Sequence, residues 1–500
     1  MTDTDTNQGA KPAGAQAPEG AGTNPWPALF ALCLGFFMIL VDMTIVTVAT
    51  PDIMRELDAD VNSVVWVTSA YLLAYAVPVL ITGRLGDRFG PKRLYLTGLT
   101  VFTLASLWCG LTGTVENLIA ARTVQGLGAA MMAPQTMAII TRIFPAARRG
   151  QAMSLWGATA GVATLVGPIL GGVLVGSLGW EWVFFVNIPF GILAFVLAMR
   201  LVPGLETHPH RFDWLGVALS GLGMFCLVFG IQEGHQFDWG RITGVITVWR
   251  LIIAGLVVLA VFIGWQAINK REPLVPLRLF GDRNFSVSNL AISTMSFAIT
   301  AIGFPFMLYA QLVLGMSPVE AAMLLVPMAV MSIVLAPPIG KLIDQVHPRN
   351  LTALGFLAAA GALWWTSQVM EPGASAWDFV GPMALLGTGS AAVWAPLTAT
   401  ATRNLPLHLA GAGAGVYNAT RQVGAVLGSA AIAVLMDARL AEHLPGVSAS
   451  PEAAVGEALP EFVHAPFSAA MADAMLLPPA VLLVGLAAVL FFAKPTHSRE

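Results

Sequence analysis

The sequence predicts an all-helical protein embedded in a membrane. Charged residues make up 11% of its 500 residues and hydrophobic ones 56%, whereas a soluble domain carries about 25% charged residues. Apolar runs close to the roughly 20 residues that cross a bilayer recur along nearly the whole chain. Basic residues fall almost entirely on one side of those runs, as the positive-inside rule requires of a membrane protein.

The spans follow in order. Residues 1–26 are small, polar and Pro/Gly-rich, a composition that forms a disordered tail rather than a core. No charged n-region and cleavage site mark a secretory signal there. Apolar spans at 27–49 and 64–83 are parted by "PDIMRELDADVNS", and "GRLGDRFGPKR" precedes the third, 95–113. The fourth, 116–138, ends before "RIFPAARRG"; 151–176 and 183–202 then follow. After "PGLETHPHRF" come 213–232 and 247–267, separated by "EGHQFDWGR". The remaining spans are 285–311, 319–341, 351–370, 379–401, 412–436 and 470–493, again bounded by Gly, Pro and charged breaks. That makes fourteen.

Charge orients them. With the amino terminus in the cytoplasm, 19 of the 25 Lys and Arg lie on the cytoplasmic side, 4 outside and 2, Arg122 and Arg421, within spans. One miscounted span would invert every later loop and erase this asymmetry. The expectation is a multi-pass protein of the cell (inner or plasma) membrane, with both termini cytoplasmic.

An internal repeat runs through the chain. "GRLGDRFGPKRL" (83–94) and "GKLIDQVHPRNL" (340–351) share Gly83/Gly340, Leu85/Leu342, Asp87/Asp344, Pro91/Pro348 and Leu94/Leu351 at an offset of 257. "QGLGAAMMAP" and "LGTGSAAVWAP" pair Gly126 with Gly387, Gly128 with Gly389 and Pro134 with Pro396 at nearly the same offset. Two related six-helix units, 27–202 and 285–493, are therefore expected, with 203–284 as a linker carrying two inserted helices and 494–500 as a cytoplasmic tail. Such halves are the pattern of secondary transporters, which bind substrate where the halves meet.

The motifs carry a resemblance. "GRLGDRFGPKR" resembles the loop 2–3 signature of the major facilitator superfamily, and "LIAARTVQGLGAA" its helix-4 motif. "GATAGVATLVGPILGG" (157–172) resembles the antiporter motif of helix 5. "LVDMTIVTVATPDI", "WEWVFFVNIPFG", "PLVPLRLF" and "YNATRQVGAVLG" resemble signatures of the fourteen-spanner drug:proton antiporter branch. The resemblance implies that Asp87 meets the cytoplasmic start of span 13, near residue 412. Gly83, Arg84, Arg88, Gly90, Lys92 and Arg93 would complete that conformational gate; a solvated loop that only orients the chain is the other reading. It also implies an exporter whose antiporter helix is span 5: Gly157, Gly161, Gly167, Gly171 and Gly172 put small residues along one side, against span 10, and Pro168 bends the helix.

Asp42 and Arg122 are the oppositely charged residues deep in the spans. Asp42 lies about 8 residues and Arg122 about 7 from the same outer face, roughly 10–12 Å deep at about 1.5 Å per residue. Ionisable groups in a membrane are costly and usually functional, so the pair is the candidate for proton coupling; a static ion pair is the alternative. Trp66, Tyr71, Gln125, Phe304, Tyr309, Trp394 and Asn418 are candidates to line the substrate cavity. Spans 9–14 offer no deep Asp or Glu, so neutral, zwitterionic or monovalent cargo is expected.

No GxxxxGK[ST] loop for a nucleotide appears, so the driving force expected is a proton gradient, with no cofactor. Cys33, Cys109 and Cys226 all fall in apolar runs and read as small buried hydrophobes rather than metal ligands or disulfides. The net charge of −3 implies nothing about nucleic acid, and no basic tract suggests such a partner, so none is expected. The partners expected are a small molecule, protons and lipid. The leading reading is a proton-coupled exporter of amphipathic drugs or antibiotics. Its rivals are a dedicated exporter of one natural product or lipid, a nutrient importer, and a membrane enzyme, which the lack of HExxH or a Ser/His/Asp cluster argues against.

Overall fold

The computed structural model describes residues 24–59, 61–205, 207, 213–234, 237, 239–269, 273–406, 409–444 and 460–493. Nearly all of the two expected tails lies outside these residues, as do Lys11, Arg211, Lys270, Arg271, Lys494 and Arg499 of the charge count.

The chain runs through α1 (Trp26–Glu56), α2 (Val61–Ala76), α3 (Val79–Phe89), α4 (Pro91–Gly110), α5 (Val115–Ile143), α6 (Ala146–Leu178), α7 (Trp182–Phe185) and α8 (Asn187–Leu201). Then come α9 (Trp214–Gln232), a short hairpin of β1 (Arg241–Thr243) and β2 (Ile246–Thr247), and α10 (Val248–Ile268). The second set is α11 (Arg283–Ala301), α12 (Gly303–Leu312), α13 (Pro318–Met323), α14 (Val326–Gln345), α15 (Pro348–Val369), α16 (Val380–Arg403), α17 (Ala410–His443), α18 (Glu461–Ala474) and α19 (Leu477–Val489).

Among the described residues, ten helical segments are long and apolar enough to cross a membrane, or eleven if α2 and α3, bent by 46°, form one span. The count thus falls short of the fourteen expected. The missing three are α4, α5 and α15, with 20, 29 and 22 residues. They have the length, but Gly, Thr, Ser and, in α5, Arg122 and Gln125 dilute their apolar content. Much of α5 is buried, and a helix shielded by its neighbours can carry polar groups that lipid would reject.

The contacts repeat between the two sets. α4 packs on α5 as α15 packs on α16, α1 on α8 as α11 on α19, and α2 on α5 as α14 on α16. The repeated glycines account for this. A Cβ on Gly126 would sit 2.4 Å from the Tyr71 carbonyl oxygen in α2, and one on Gly387 would sit 2.2 Å from that of Met328 in α14. Gly128 likewise meets Phe102 in α4, and Gly389 meets Ala359 in α15. Without side chains, helix backbones approach closely, which replaces the weak hydrophobic drive between helices in lipid.

Between the sets, α6 packs on α14 and α17 packs on α3. The inserted pair, α9 and α10, packs on itself and touches α2 and α17. Asp213 joins this pair: it caps α9 through the Gly216 amide at 2.9 Å and accepts from Trp265 and Gln266 of α10, both at 2.9 Å.

Candidate functional site

Asp42 lies mid-helix in α1 and is fully buried. Arg122 Nη1 of α5 donates to its Oδ2, while Gln125 Nε2 donates to Oδ1 at 2.8 Å. Asn187 Nδ2, at the start of α8, donates to the same Oδ1 at 3.0 Å and also reaches Ser106 Oγ of α4 at 3.0 Å. Arg122 is fixed in turn. Its Nε donates to the Val67 carbonyl at 3.1 Å, its Nη1 to Gln125 Oε1 at 2.8 Å, and its guanidinium lies 4.1 Å from the Tyr71 ring centroid. A carboxylate and a guanidinium, both at 0% exposure, are held by neutral amides from two further positions. The helical register explains the selection: Arg122 and Gln125 lie three apart, on one face of α5.

Sequence reasoning paired Asp42 with Arg122 and placed Gln125 with the cavity. It missed Asn187, although "WEWVFFVNIPFG" contains it; an amide carries no charge to make it stand out in an apolar run. It also missed Glu233, which follows α9 and is 2% exposed. Burial raises the carboxyl of Glu233 above its ordinary value, and a hydrogen bond with Ser69 of α2 partly offsets this.

At the opposite end of the bundle, the buried Asp87 of α3 accepts from the amides of Gly411 at 3.0 Å and Ala412 at 2.9 Å. These are among the first donors of α17, whose N-cap, Leu409, offers no side-chain acceptor. Helix N-termini leave such amides unpaired, and a carboxylate from the other half fills the gap. Arg142 Nη2 donates to Asp87 Oδ1 at 2.6 Å. The approach is tight, since a Cβ on Gly83 would lie 2.6 Å from the Gly411 carbonyl oxygen. Gly90 ends α3 with φ of 94°, a conformation that favours glycine, and Pro91 opens α4.

The basic residues of the loop do different things. Arg84 Nη2 donates to the Pro273 carbonyl at 2.9 Å, Lys92 Nζ donates to that of Met199 at 2.8 Å, Arg88 lies over Phe89, and Arg93 is exposed. A second link between halves went unanticipated: Arg149 Nη1 of α6 donates to the Thr402 carbonyl of α16 at 3.2 Å. The Asp344 side chain is outside those described.

The glycines of α6 do not share one neighbour. A Cβ on Gly167 would lie 1.9 Å from Thr44 Oγ1, and one on Gly171 3.0 Å from Ile45, both in α1. Gly161 instead faces Ser332 of α14, and Gly172 faces Val319 of α13. At 3.6 residues per turn these positions, with Pro168, spread over about 140°. Within that arc, less than half the helix, Gly161 and Gly172 face the expected span 319–341 while Gly167 and Gly171 face α1.

A cavity of about 580 Å³, its mouth included, lies between α6, α11, α14 and α16; Gly157, Gly161, Ser332, Ser390 and Trp394 line it. Of the seven cavity candidates, only Trp394 is on its wall. Tyr71 lies under Arg122, and Gln125 binds Asp42. Trp66 meets Phe229 of the inserted α9 with centroids 5.6 Å apart. Tyr309 is buried, donating to the Glu371 carbonyl at 2.7 Å, whereas Phe304 is 60% exposed. Asn418 is fully buried and binds the Ala414 carbonyl of its own helix at 2.9 Å.

Comparison with known proteins places this geometry in a family. The family model of the Major Facilitator Superfamily matches residues 32–429. The chain is 54% identical over 478 residues to the uncharacterized MFS-type transporter Rv1250 of Mycobacterium tuberculosis (strain ATCC 25618 / H37Rv), covering 95% of this chain and 82% of that protein. It is 34% identical over 510 residues to the tetracenomycin C resistance and export protein of Streptomyces glaucescens, covering 95% and 93%. It is 30% identical over 421 residues to the multidrug export protein EmrB of Escherichia coli (strain K12), covering 83% and 80%. With a helical fold, a repeated helix-packing pattern and a family match over most of its length, the chain belongs to the major facilitator superfamily.

Proposed function

We propose that the chain is a proton-coupled secondary transporter that exports amphipathic small molecules, drugs or antibiotics among them, by alternating access. The observation that carries this reading is the buried Asp42 carboxylate, held at once by Arg122, Gln125 and Asn187. A carboxylate in that setting can exist charged, with its donors in place, or neutral, with the bonds rearranged. Protonation would release Arg122 and loosen α1 from α5. The names of the tetracenomycin C and multidrug export relatives support export and small-molecule cargo.

In this reading fourteen spans cross the cell membrane with both termini cytoplasmic. Units 27–202 and 285–493 are the two moving halves, and the helices within 203–284 are an insertion. Asp87 on α17 is the cytoplasmic latch, with Gly83 and Gly90 shaping it and Arg84, Arg88, Lys92 and Arg93 around it. The α6 glycines let α1 and α14 close on one helix. No cofactor enters; protons supply the work. A dedicated exporter of a single natural product is the second reading, favoured by the relative named for tetracenomycin C.

Purified protein in liposomes with an imposed pH gradient, offered a chemically diverse panel, tests both. Uphill movement of several unrelated amphiphiles supports the first reading, and movement of one compound alone supports the second. If no compound moves under a pH gradient, yet substrate exchange occurs without one, proton coupling is rejected.

A further inference from the structure

Three carboxylates are buried among the described residues: Asp42, Asp87 and Glu233. Asp42 has Arg122 and two side-chain amides, and Asp87 has Arg142 and two main-chain amides. Glu233 differs. It is 2% exposed and forms no ion pair with a described residue. Its carboxylate meets the Ser69 hydroxyl of α2, while its Oε2 has no hydrogen-bond partner among the described residues. An ionised carboxylate with a bare oxygen is costly to bury, and taking up a proton removes that cost. A proton needs no cavity.

The place of Glu233 in the fold ties that proton to movement. Val67 and Tyr71 of α2 hold Arg122 through a main-chain carbonyl and a ring face. At 3.6 residues per turn they lie about 40° apart, and Ser69 stands about 180° from their midpoint. One face of α2 thus carries the Asp42–Arg122 site, and the opposite face meets Glu233. α9 also packs on α17, where Met224 and Val228 cluster with Val423 and Val426. α2 and α17 belong to opposite halves, so α9 cannot stay seated on both when the halves rock. The other titratable and charged groups on these elements are engaged or placed elsewhere. Tyr71 lies under Arg122, Tyr75 binds Arg421, Arg250 donates to the Val245 carbonyl, and Arg241 is exposed. Asp437, Arg439, Glu442 and His443 lie further along α17 than Val426 and Ala430, which pack on α9. His235 and Asp238, close by in sequence, lie outside the described residues.

We propose that Glu233 is a regulatory proton-binding site, which holds a proton while α2 is seated on α9 and gives it up when α2 withdraws. The proton passes from water to Oε2 at the outer face, where α9 ends in the proposed topology. It returns to water on that same side, so it is not one of the protons that drive export. This rests on the alternating-access reading and adds a regulator to it. Burial raises the Glu233 carboxyl above its ordinary value, in keeping with a retained proton, and the Ser69 bond opposes the rise. The structure has the Asp87 latch made, so acid outside favours the arrangement with that latch closed. The preference fades as pH rises through the raised value. By linkage, protonating Glu233 and closing the latch favour each other equally.

The test uses the full chain in phosphatidylcholine nanodiscs, with infrared difference spectra recorded across a pH titration. The C=O stretch of a protonated buried carboxyl should grow on acidification and be missing in Glu233→Gln. Ser69→Ala, which removes a bond to the charged form, should raise the midpoint of that band by about one pH unit. Asp87→Asn, which breaks the latch without touching Glu233, should lower it by about one unit. Spin labels at Phe89 and Asn404 report the latch directly. Between about pH 8 and about pH 5 the closed population should grow about tenfold more in the wild type than in Glu233→Gln. If Glu233→Gln removes no band, the proposal is overturned. A midpoint unmoved in Asp87→Asn while the labels report opening overturns it as well. If the labels report no opening in Asp87→Asn, the latch reading fails, and equal pH responses of wild type and Glu233→Gln then reject the regulatory site too. Should Glu233→Gln not fold, Ser69→Ala must still move the band, and an unmoved band rejects the site.

Discussion

Asp87 caps a helix it does not belong to: its Oδ1 lies 3.0 Å from the Gly411 amide, 324 positions later in the chain. The contact is available only while α3 and α17 touch, so it stabilises one arrangement of the halves and is lost in any other. An anion at a helix N-terminus contributes up to about 2 kcal/mol when partly buried.

Asp87→Asn removes the charge and the Arg142 ion pair while keeping the size. Spin labels at Phe89 and Asn404, both exposed at this end, should report a longer second distance population, enriched about tenfold or more. Identical distance distributions in wild type and variant would refute the latch. Gly411→Ala should act in the same direction with the carboxylate intact, because its Cβ would sit 2.4 Å from Asp87 Oδ1.

Asp42→Asn should insert normally and still exchange substrate down its gradient, but lose accumulation driven by ΔpH. Asn187→Ala removes one donor to the same carboxylate and should reduce coupled transport by about tenfold, and Arg122→Lys should be impaired because an ammonium cannot reproduce the fork. Uphill transport by Asp42→Asn in liposomes rules out this carboxylate as the carrier.

Gly167 and Gly157 lie on the same helix but should tolerate alanine very differently. At Gly167 the new Cβ would meet Thr44 Oγ1 at 1.9 Å, whereas at Gly157 its nearest neighbour is Trp394 Cβ at 3.6 Å. Gly167→Ala should cost about 1–3 kcal/mol, the usual cost of overpacking, with a lowered Tm in detergent. Gly157→Ala should leave Tm close to the wild type. Equal Tm values for the two variants would contradict the packing of α6 on α1.

Glu233 makes a pH-dependent contribution. Burial raises its carboxyl above the ordinary value of 4.5, so between that value and the raised one the folded protein binds more protons than the unfolded. Stability attributable to this residue therefore falls as pH rises through that window and stays lower above it. Glu233→Gln should raise Tm at pH 8 and give no gain at about pH 4.5. A gain of equal size at both pH values would show that titration is not the cause.

Charge scarcity made part of this protein legible from its sequence. Asp42, Arg122 and Asp87 stand out because burying an ion in a membrane costs several kcal/mol whatever its neighbours, so an ion that persists has a partner or a task. The repeat was legible for a related reason. Gly126 and Gly387 each admit a main-chain carbonyl at van der Waals contact, a demand that leaves glycine little alternative.

Partners were another matter. Asn187 and Ser106 are uncharged, and nothing along the chain says that α4 and α8 bring them beside Asp42. Arg142, far from the loop in sequence, pairs with Asp87 because α5 passes beside α3. Trp394 lines the cavity while Tyr309 holds a loop carbonyl, although both are aromatic residues in apolar helices. A spanning helix is apolar on its lipid face as well as its packed face, so hydrophobic periodicity, which orients helices in water, orients few here. The sequence by itself determined that helices cross a membrane, in two related sets, and which ions they carry inside. Which faces meet was decided by the packing of small residues across helices hundreds of positions apart, and that packing set Arg421 of α17 beside Tyr75 of α2.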